Sequence, residues 1–239
     1  MALTQDFNRM VERLEHLERE RRFESAAIAH ELRTPITAMR LRVMGILDGV
    51  HDLEPAQVQP LNAQLNTLER LAEDLQTLTL HDAGHLSLNP FTLSAGEVLD
   101  TLEASFSPLA TSGNVQLEMR GDGRLNVRAD PRRLQQALGN LVENGLKHAA
   151  PGGTVRIEVW PLEGGVEFRV ADSGTGVPDD QLERLFHRFY RVDNSRSRSS
   201  GGSGLGLAIV RAIADAHGGS AHATHSDLGG LEVRLRFPG

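Results

Sequence analysis

Six apolar residues, Leu32, Ile36, Met39, Val43, Ile46 and Val50, follow one another at steps of four, three, four, three and four. That rhythm keeps one stripe along an α-helix, and such a stripe is buried only against another helix. Phe7, Met10, Leu14 and Leu17 carry the helical pattern backwards, so one helix is predicted from Phe7 to about Val50. His51 to Pro60 breaks it with Asp, Pro and Gln. Leu61, Leu65, Leu68, Ala72 and Leu75 then resume the same rhythm, with Leu71 and Leu78 widening the stripe. Two helices joined by a short loop read as an antiparallel hairpin. One hairpin cannot cover its own seam, so the expected solution is a homodimer in which two hairpins form a four-helix bundle. The rival arrangement packs the hairpin on the rest of its own chain, and the length of the heptad run weighs against it.

At 239 residues the chain has room for that hairpin and one further compact domain. A net charge of −7 and an aromatic content of 4% argue against a nucleic-acid partner, which would want a basic face or stacking platforms. The absence of cysteine removes disulfides and thiolate chemistry. No run approaches the roughly 20 apolar residues of a membrane helix, and the N-terminus lacks the signature of a signal peptide, so no membrane contact is expected of this segment.

After His85 to Ser87 the texture changes. Ser94 and Glu97 have capping-box spacing and predict a helix to about Ser107, and Val115, Leu117 and Met119 alternate as a strand. Asp130 followed by Pro131 reads as an N-cap with proline at the first helical position, leading a helix with Leu134, Leu138, Leu141 and Val142. Val155, Ile157 and Val159, then Val166, Phe168 and Val170, alternate as two strands. Between Pro178 and Gly204 a short helix and a polar stretch, Asn194 to Gly204, are expected, the latter with the composition of a mobile segment. Leu205 to His217 predicts a helix closed by Gly218 and Gly219, and Leu231, Val233, Leu235 and Phe237 a last strand. The sum is an α/β sandwich with helices on one face of a mixed sheet.

The first helix carries Ala29-His30-Glu31-Leu32-Arg33-Thr34-Pro35. At about 100° per residue, His30 lies well away from the stripe that holds Ile36 and Met39, so it faces solvent. Pro35 has no N–H for the Glu31 carbonyl and bends the helix just past the histidine. An imidazole is largely neutral at pH 7 and keeps one ring lone pair for nucleophilic attack. A lone exposed histidine is usually inert, but His-Glu-Leu-Arg-Thr-Pro resembles the phosphoacceptor box of the bacterial sensor histidine kinases. The resemblance implies that His30 is phosphorylated, that Glu31 orients or deprotonates it, and that Thr34 positions water for dephosphorylating a partner. The lead-in Asp6-Phe7-Asn8-Arg9-Met10 resembles the end of a HAMP linker.

Four further clusters follow in the order that family shows. Asn140 and Asn144, at i and i+4, share a helix face, and an amide oxygen suits Mg²⁺, which takes few protein ligands beside water and phosphate oxygens. The resemblance makes Asn144 the metal ligand, with Asn140 assisting and Lys147 on the phosphates. It places His148 and Gly145 where the family usually has an aromatic and an alanine. Asp172-Ser173-Gly174-Thr175-Gly176 follows a strand, where a carboxylate can accept from the adenine amino group while the glycines allow close approach. Alone, this motif reads equally well as an ordinary turn. Leu185-Phe186-His187-Arg188-Phe189-Tyr190-Arg191 resembles the family's phenylalanine box, with Arg188 or Arg191 meeting the terminal phosphate and the aromatics anchoring a lid. Gly202-Ser203-Gly204-Leu205-Gly206-Leu207 opens a helix and offers free amides to an anion. It is neither a Walker loop nor a Rossmann fingerprint.

Together the boxes resemble the Bergerat-type ATPase fold. The organisation so implied is the end of a HAMP-like helix over 1–22, a dimerisation and phosphotransfer hairpin over 23–84, and an ATP-binding domain over 85–239. ATP and Mg²⁺ are the implied cofactors, and the receiver domain of a response regulator the implied partner. The segment is expected to be cytoplasmic, with a parent protein in the bacterial inner membrane. Three rival readings are a clamp ATPase of the chaperone, mismatch-repair and gyrase group, a scaffold that has lost catalysis, and a serine kinase of the anti-sigma type. The phosphoacceptor helix argues against the first, the intact Asn144, Asp172, Gly204 and Gly206 against the second, and the heptad hairpin against the third.

Overall fold

The computed structural model describes residues 2–50, 54–192 and 202–239, without the side chains of residues 2–7, 16, 17 and 20. The side chains of Phe7 and Leu17, the residues 51–53 in the expected break, and 194–201 of the expected polar stretch lie outside the described residues. The chain divides into two compact units, Met1–Glu73 and Asp74–Gly239.

The first unit is built from α1 (Ala2–Leu47) and most of α2 (Pro55–Asp82). Pro35 is accommodated inside α1. The expected break at 51–60 is shorter than the sequence suggested, because α2 begins at Pro55. Proline is tolerated in a first turn whose N–H groups have no helical acceptor, and the further Pro60 stays within the helix. Arg42 Nη1 donates to Gln57 Oε1 at 3.0 Å across the hairpin. Ile36, Val43, Val50 and Leu65, all seam residues, remain 43–71% exposed in the single chain.

The second unit begins inside α2, at Asp74, eleven residues before the expected start of the second domain at 85. Leu78 and Thr77 are buried there, and the reason is a polar joint to α4 (Pro131–His148). Gln136 Nε2 donates to Asp74 Oδ1 at 3.2 Å, and Arg133 Nη1 to Thr77 Oγ1 at 2.9 Å. The later residue of α2 meets the earlier residue of α4, so the two helices run antiparallel at this joint. Asp130 caps α4 as expected: its Oδ1 accepts from the Arg133 N–H at 3.1 Å and its Oδ2 from the Asn89 N–H at 2.9 Å. Burial pushes this carboxyl up, but the amides of Asn89, Arg133 and Arg132 outweigh it and hold Asp130 below the usual carboxylate range.

Before α4 the chain forms β1 (Phe91–Ser94), α3 (Ala95–Ser112), β2 (Gln116–Gly121) and β3 (Asn126–Ala129). β1 and β3 pair antiparallel in a small separate sheet that the sequence did not announce. The expected capping box at Ser94 is not formed. Ser94 Oγ instead donates to the Gly123 carbonyl, while the first amides of α3, at Ala95 and Gly96, are satisfied by the carbonyls of Leu125 and Gly123. α3 also runs on to Ser112, with Pro108 inside it.

β4 (Thr154–Leu162), β5 (Gly165–Asp172), β6 (Ser220–His225) and β7 (Leu231–Pro238) join β2 in a five-stranded sheet of order β2-β4-β5-β7-β6. Only β2 and β4 run parallel. One face carries Val155, Ile157, Val159, Val166, Phe168, Val170, Val233, Leu235 and Phe237, all buried against α3, α4 and α5 (Gly206–Ala216). Full burial of each such side chain contributes about 1.5–3 kcal/mol. This is the expected α/β sandwich.

The other face is a charge lattice. Glu167 is 0% exposed and accepts from Arg169 Nε and Arg236 Nε, both at 2.6 Å. Burial alone would raise its pKa, yet the two guanidiniums, Arg236 first, hold it below the ordinary carboxylate range. Because the folded-state value is the lower one, the stabilisation is complete above the unfolded value of about 4.3 and disappears as pH falls through the depressed one. Glu167→Gln is expected to cost about 1–2 kcal/mol at pH 7, less than a fully buried pair because the arginines keep part of their hydration. Urea unfolding of both proteins checks this. The difference should hold constant down to about pH 5 and shrink below about pH 4.

Candidate functional site

The first unit presents His30 and Thr34 exposed on α1, with Glu31 half-buried beside them. Thr34 Oγ1 donates to the His30 carbonyl at 3.3 Å, one turn back. The exposure expected for His30 is therefore observed. The threonine hydroxyl serves the histidine's own carbonyl rather than that of Glu31, which Pro35 leaves without an N–H partner.

In the second unit the site is assembled around the C-terminal half of α4. Gly145 brings this helix close to the sheet: a Cβ there would stand 3.1 Å from both Val155 methyls and 3.6 Å from the Asp172 Cβ. The contact leaves little room for a side chain at this position, and it sets the last turn of α4 beside the end of β5. Asp172, the last residue of β5, is 5% exposed. Its Oδ1 accepts from the Gly174 N–H at 2.8 Å and the Leu231 N–H at 3.3 Å, and its carbonyl from the Gly230 N–H at 3.1 Å. Among the described residues both side-chain bonds fall on Oδ1, which leaves Oδ2 for a ligand donor. Burial raises the Asp172 pKa, opposed by the amides of Gly174 and Leu231 and by His148.

Gly174 packs on the last turn of α4, where a Cβ would lie 2.8 Å from the His148 carbonyl oxygen and 2.9 Å from Asp172 Oδ1. Gly176, with φ +69°, turns the chain towards Gly229 and Gly230. The Gly229-Gly230 pair is a part of the site that sequence reasoning missed. A Cβ on Gly230 would collide with Asp172 Oδ1, so only glycine lets this turn clasp the carboxylate. Two adjacent glycines just before the last strand were the available signal.

Partial desolvation, reinforced by the Lys147 and Arg191 charges and opposed by Asp172, holds His148 below the ordinary histidine range. The residue as a whole is exposed, and the lowered value favours the uncharged ring. Lys147 Nζ lies against the α-carbon of Gly202, in the space a Cβ would fill, and Arg191 Nη1 donates to the Gly202 carbonyl at 3.1 Å. Gly204, at φ +71°, sits under Phe189, whose N–H donates to its carbonyl at 2.9 Å. A Cβ on Gly204 would come within 2.9 Å of the Phe189 backbone. Asn140 Nδ2 reaches the Gly206 carbonyl at 3.5 Å, tying α4 to the start of α5. α5 has no side-chain cap at its N-terminus.

Leu205 is 0% exposed, so its side chain belongs to the core and only its backbone faces the loop. Phe186 is likewise buried, with Arg211 over its ring at 4.0 Å, while Tyr190 lies under Arg184 at 4.6 Å. The expected residues Asn140, Asn144, Lys147, His148, Asp172, Gly174, Gly176, Arg191, Gly202, Gly204 and Gly206 are thus gathered along one side of α4. The Arg188 guanidinium is engaged elsewhere, on Asp82 at the end of α2.

The arrangement fits a nucleotide. It offers a buried carboxylate for an exocyclic amine, a neutral ring beside it, two cations on a glycine loop and a helix start without a side-chain cap. It also fits Mg²⁺, since Asn144 and Asn140 supply neutral oxygens on one helix face and phosphate oxygens would complete the shell.

Comparison with known proteins gives two family matches. Residues 20–84 match the His Kinase A (phospho-acceptor) domain, and residues 129–239 match the histidine kinase-, DNA gyrase B- and HSP90-like ATPase. The signal transduction histidine-protein kinase BaeS of Escherichia coli (strain K12) is 39% identical over 236 residues, covering 99% of this chain and 50% of that protein. The sensor histidine kinase CusS of the same strain is 34% identical over 239 residues, covering 99% and 49%. The chain therefore spans about half the length of these relatives. Among solved structures, the Acinetobacter baumannii histidine kinase AdeS superposes with a TM-score of 0.71 at 26% identity, over 87% of this chain and 97% of that one. The histidine kinase ThkA, in complex with the response regulator protein TrrA, shares the fold with a TM-score of 0.65 at 24% identity, over 95% and 66%.

Proposed function

The chain belongs to the bacterial two-component sensor histidine kinases, and from that premise we propose that it uses ATP to phosphorylate its own His30 and hands the phosphoryl group to an aspartate of a response regulator. The observation that carries this reading is an exposed histidine on a heptad helix in a chain whose second unit gathers Asn144, Lys147, Asp172 and the 202–206 glycine loop. A ring nitrogen of His30 attacks the γ-phosphorus, the N–P bond forms as the bond to the β-phosphate oxygen breaks, ADP departs, and Glu31 takes the imidazole proton. Asp172 Oδ2 accepts from the adenine amino group, with the neutral His148 ring along the base. Lys147 and Arg191 compensate phosphate charge, and the amides at the start of α5 hold the phosphate oxygens. Asn144, with help from Asn140, would hold Mg²⁺, which would supply positive charge to the phosphates.

The exposed seam at Ile36, Val43, Val50 and Leu65 supports a homodimer through a four-helix bundle, because such a stripe in water lacks only a second copy to cover it. Among the described residues no helix is long and apolar enough to cross a membrane. A parent protein in the inner membrane, with this segment on the cytoplasmic side, is the arrangement consistent with the sensor relatives. ThkA was captured with a response regulator, and a receiver domain is the partner that a phosphohistidine of this kind would serve.

Incubation with ATP labelled at the γ-phosphate tests the reading. The label should require magnesium and should be lost in acid and kept in base, as a phosphohistidine is; an acid-stable label would overturn it. A dephosphorylating activity towards the regulator is assigned to Thr34. Its 3.3 Å bond to the His30 carbonyl is long, and its oxygen can still accept from a water. Thr34→Ala should leave His30 labelling within about twofold while slowing loss of phosphate from the partner aspartate roughly tenfold to a hundredfold. Measured on one preparation, a parallel fall of both rates would instead assign Thr34 to the geometry of the helix.

A further inference from the structure

The phenylalanine-box segment sits on the glycine loop through two bonds, from the Phe189 N–H to the Gly204 carbonyl and from Arg191 to the Gly202 carbonyl. Arg191 thus faces the phosphate cradle. Arg188, three residues earlier in the same segment, does not: its Nη2 donates to Asp82 Oδ1 at 2.5 Å.

The position of Asp82 follows from the joint between α2 and α4. The antiparallel pairs Asp74 with Gln136 and Thr77 with Arg133 mean that α2, continuing to Asp82, travels towards the N-terminal end of α4. Asn140, Asn144 and Lys147 lie in the opposite direction, about 10, 16 and 21 Å along the axis from Arg133 at 1.5 Å per residue. The guanidinium is therefore committed to the end of α2 and not to the glycine loop. Asp82 is also an acidic residue at a helix C-terminus, where the helix dipole disfavours negative charge. Its placement is unfavourable for α2 by itself and is compensated by the arginine. The carboxylate is 53% exposed and the guanidinium 25%, so the pair is weak enough to be released.

We propose that Asp82 is an autoinhibitory latch: its carboxylate occupies Arg188 in place of the terminal phosphate of ATP, so that activation requires the end of α2 to let the arginine go. The inference rests on the kinase reading above. It makes the last residue of the helix that leaves the phosphoacceptor hairpin a competitor of the nucleotide for one side chain.

Asp82→Asn and Arg188→Gln, singly and together in the full chain, test it with ATP and ADP as probes. D82N should raise the initial rate of autophosphorylation at subsaturating ATP about two- to fivefold, the ratio that a half-exposed ion pair can hold back. It should tighten ATP by a similar factor and leave ADP unchanged, because ADP has no terminal phosphate for Arg188 to meet. R188Q should abolish the gain, so that the double variant behaves as R188Q alone. A D82N protein that binds ATP as the wild type does and labels no faster overturns the latch alone, as does an equal gain for ATP and ADP. A wild-type chain that binds neither nucleotide overturns the latch and the kinase reading together.

Discussion

His30→Ala is expected to take up no label from γ-labelled ATP, a loss of at least about a thousandfold, because the substitution removes the ring nitrogen to which the proposal assigns the new bond. The fold should not suffer. His30 is exposed on α1, and alanine is the better helix former. Nucleotide affinity, measured by calorimetry, should match the wild type, since Asn144, Lys147 and Asp172 belong to the other compact unit. Label that persists in the variant at more than a trace would place the acceptor elsewhere and sink the assignment.

The second large effect is expected at the nucleotide end. Asn144→Ala deletes the amide oxygen assigned to Mg²⁺ and should slow autophosphorylation about a hundredfold or more. Asp172→Asn acts differently. The Gly174 and Leu231 amides both donate to Oδ1, so the new side chain must turn its oxygen towards them and its NH₂ towards the base. Two donors would then face each other where the proposal seats adenine, costing about 2–3 kcal/mol and weakening ATP about thirty- to 160-fold. Neither change touches the apolar seam at Ile36 to Leu65, so sedimentation should find the same oligomer as in the wild type. Labelling at the wild-type rate by either variant would remove that residue from the site.

Much of the candidate site was legible because its residues are local signals. Asp130-Pro131 begins a helix by capping chemistry, and the asparagines then fall on one face by helical period alone. Asp172 ends a strand whose alternation is plain, and Gly204 stands where a positive φ requires glycine. What stayed hidden depends on partners distant in sequence. β1 and β3 are four residues each, too short to show alternation, and exist because they pair across more than thirty intervening residues. β6, Ser220–His225, has no apolar alternation because it is an edge strand, with one neighbour in β7. Ser94 has the spacing of a capping box, yet Gly123 and Leu125 supply the acceptors its helix needs, and no local rule contains them. The Arg188 pairing with Asp82 spans 106 positions and could only be seen once folded.

That α2 is shared between the two compact units bears on how such proteins can be recombined. A chimera spliced at the loop near residue 85 would part Asp74, Thr77 and Asp82 from Gln136, Arg133 and Arg188, and would strip Leu78 from the core it fills. The compact unit that contains these contacts starts within the helix, at Asp74. Receptors rebuilt from parts of two such chains should keep their coupling only when the crossover falls before that residue, where the exchanged piece brings along the carboxylates and hydroxyl that its own arginines and glutamine were shaped to meet.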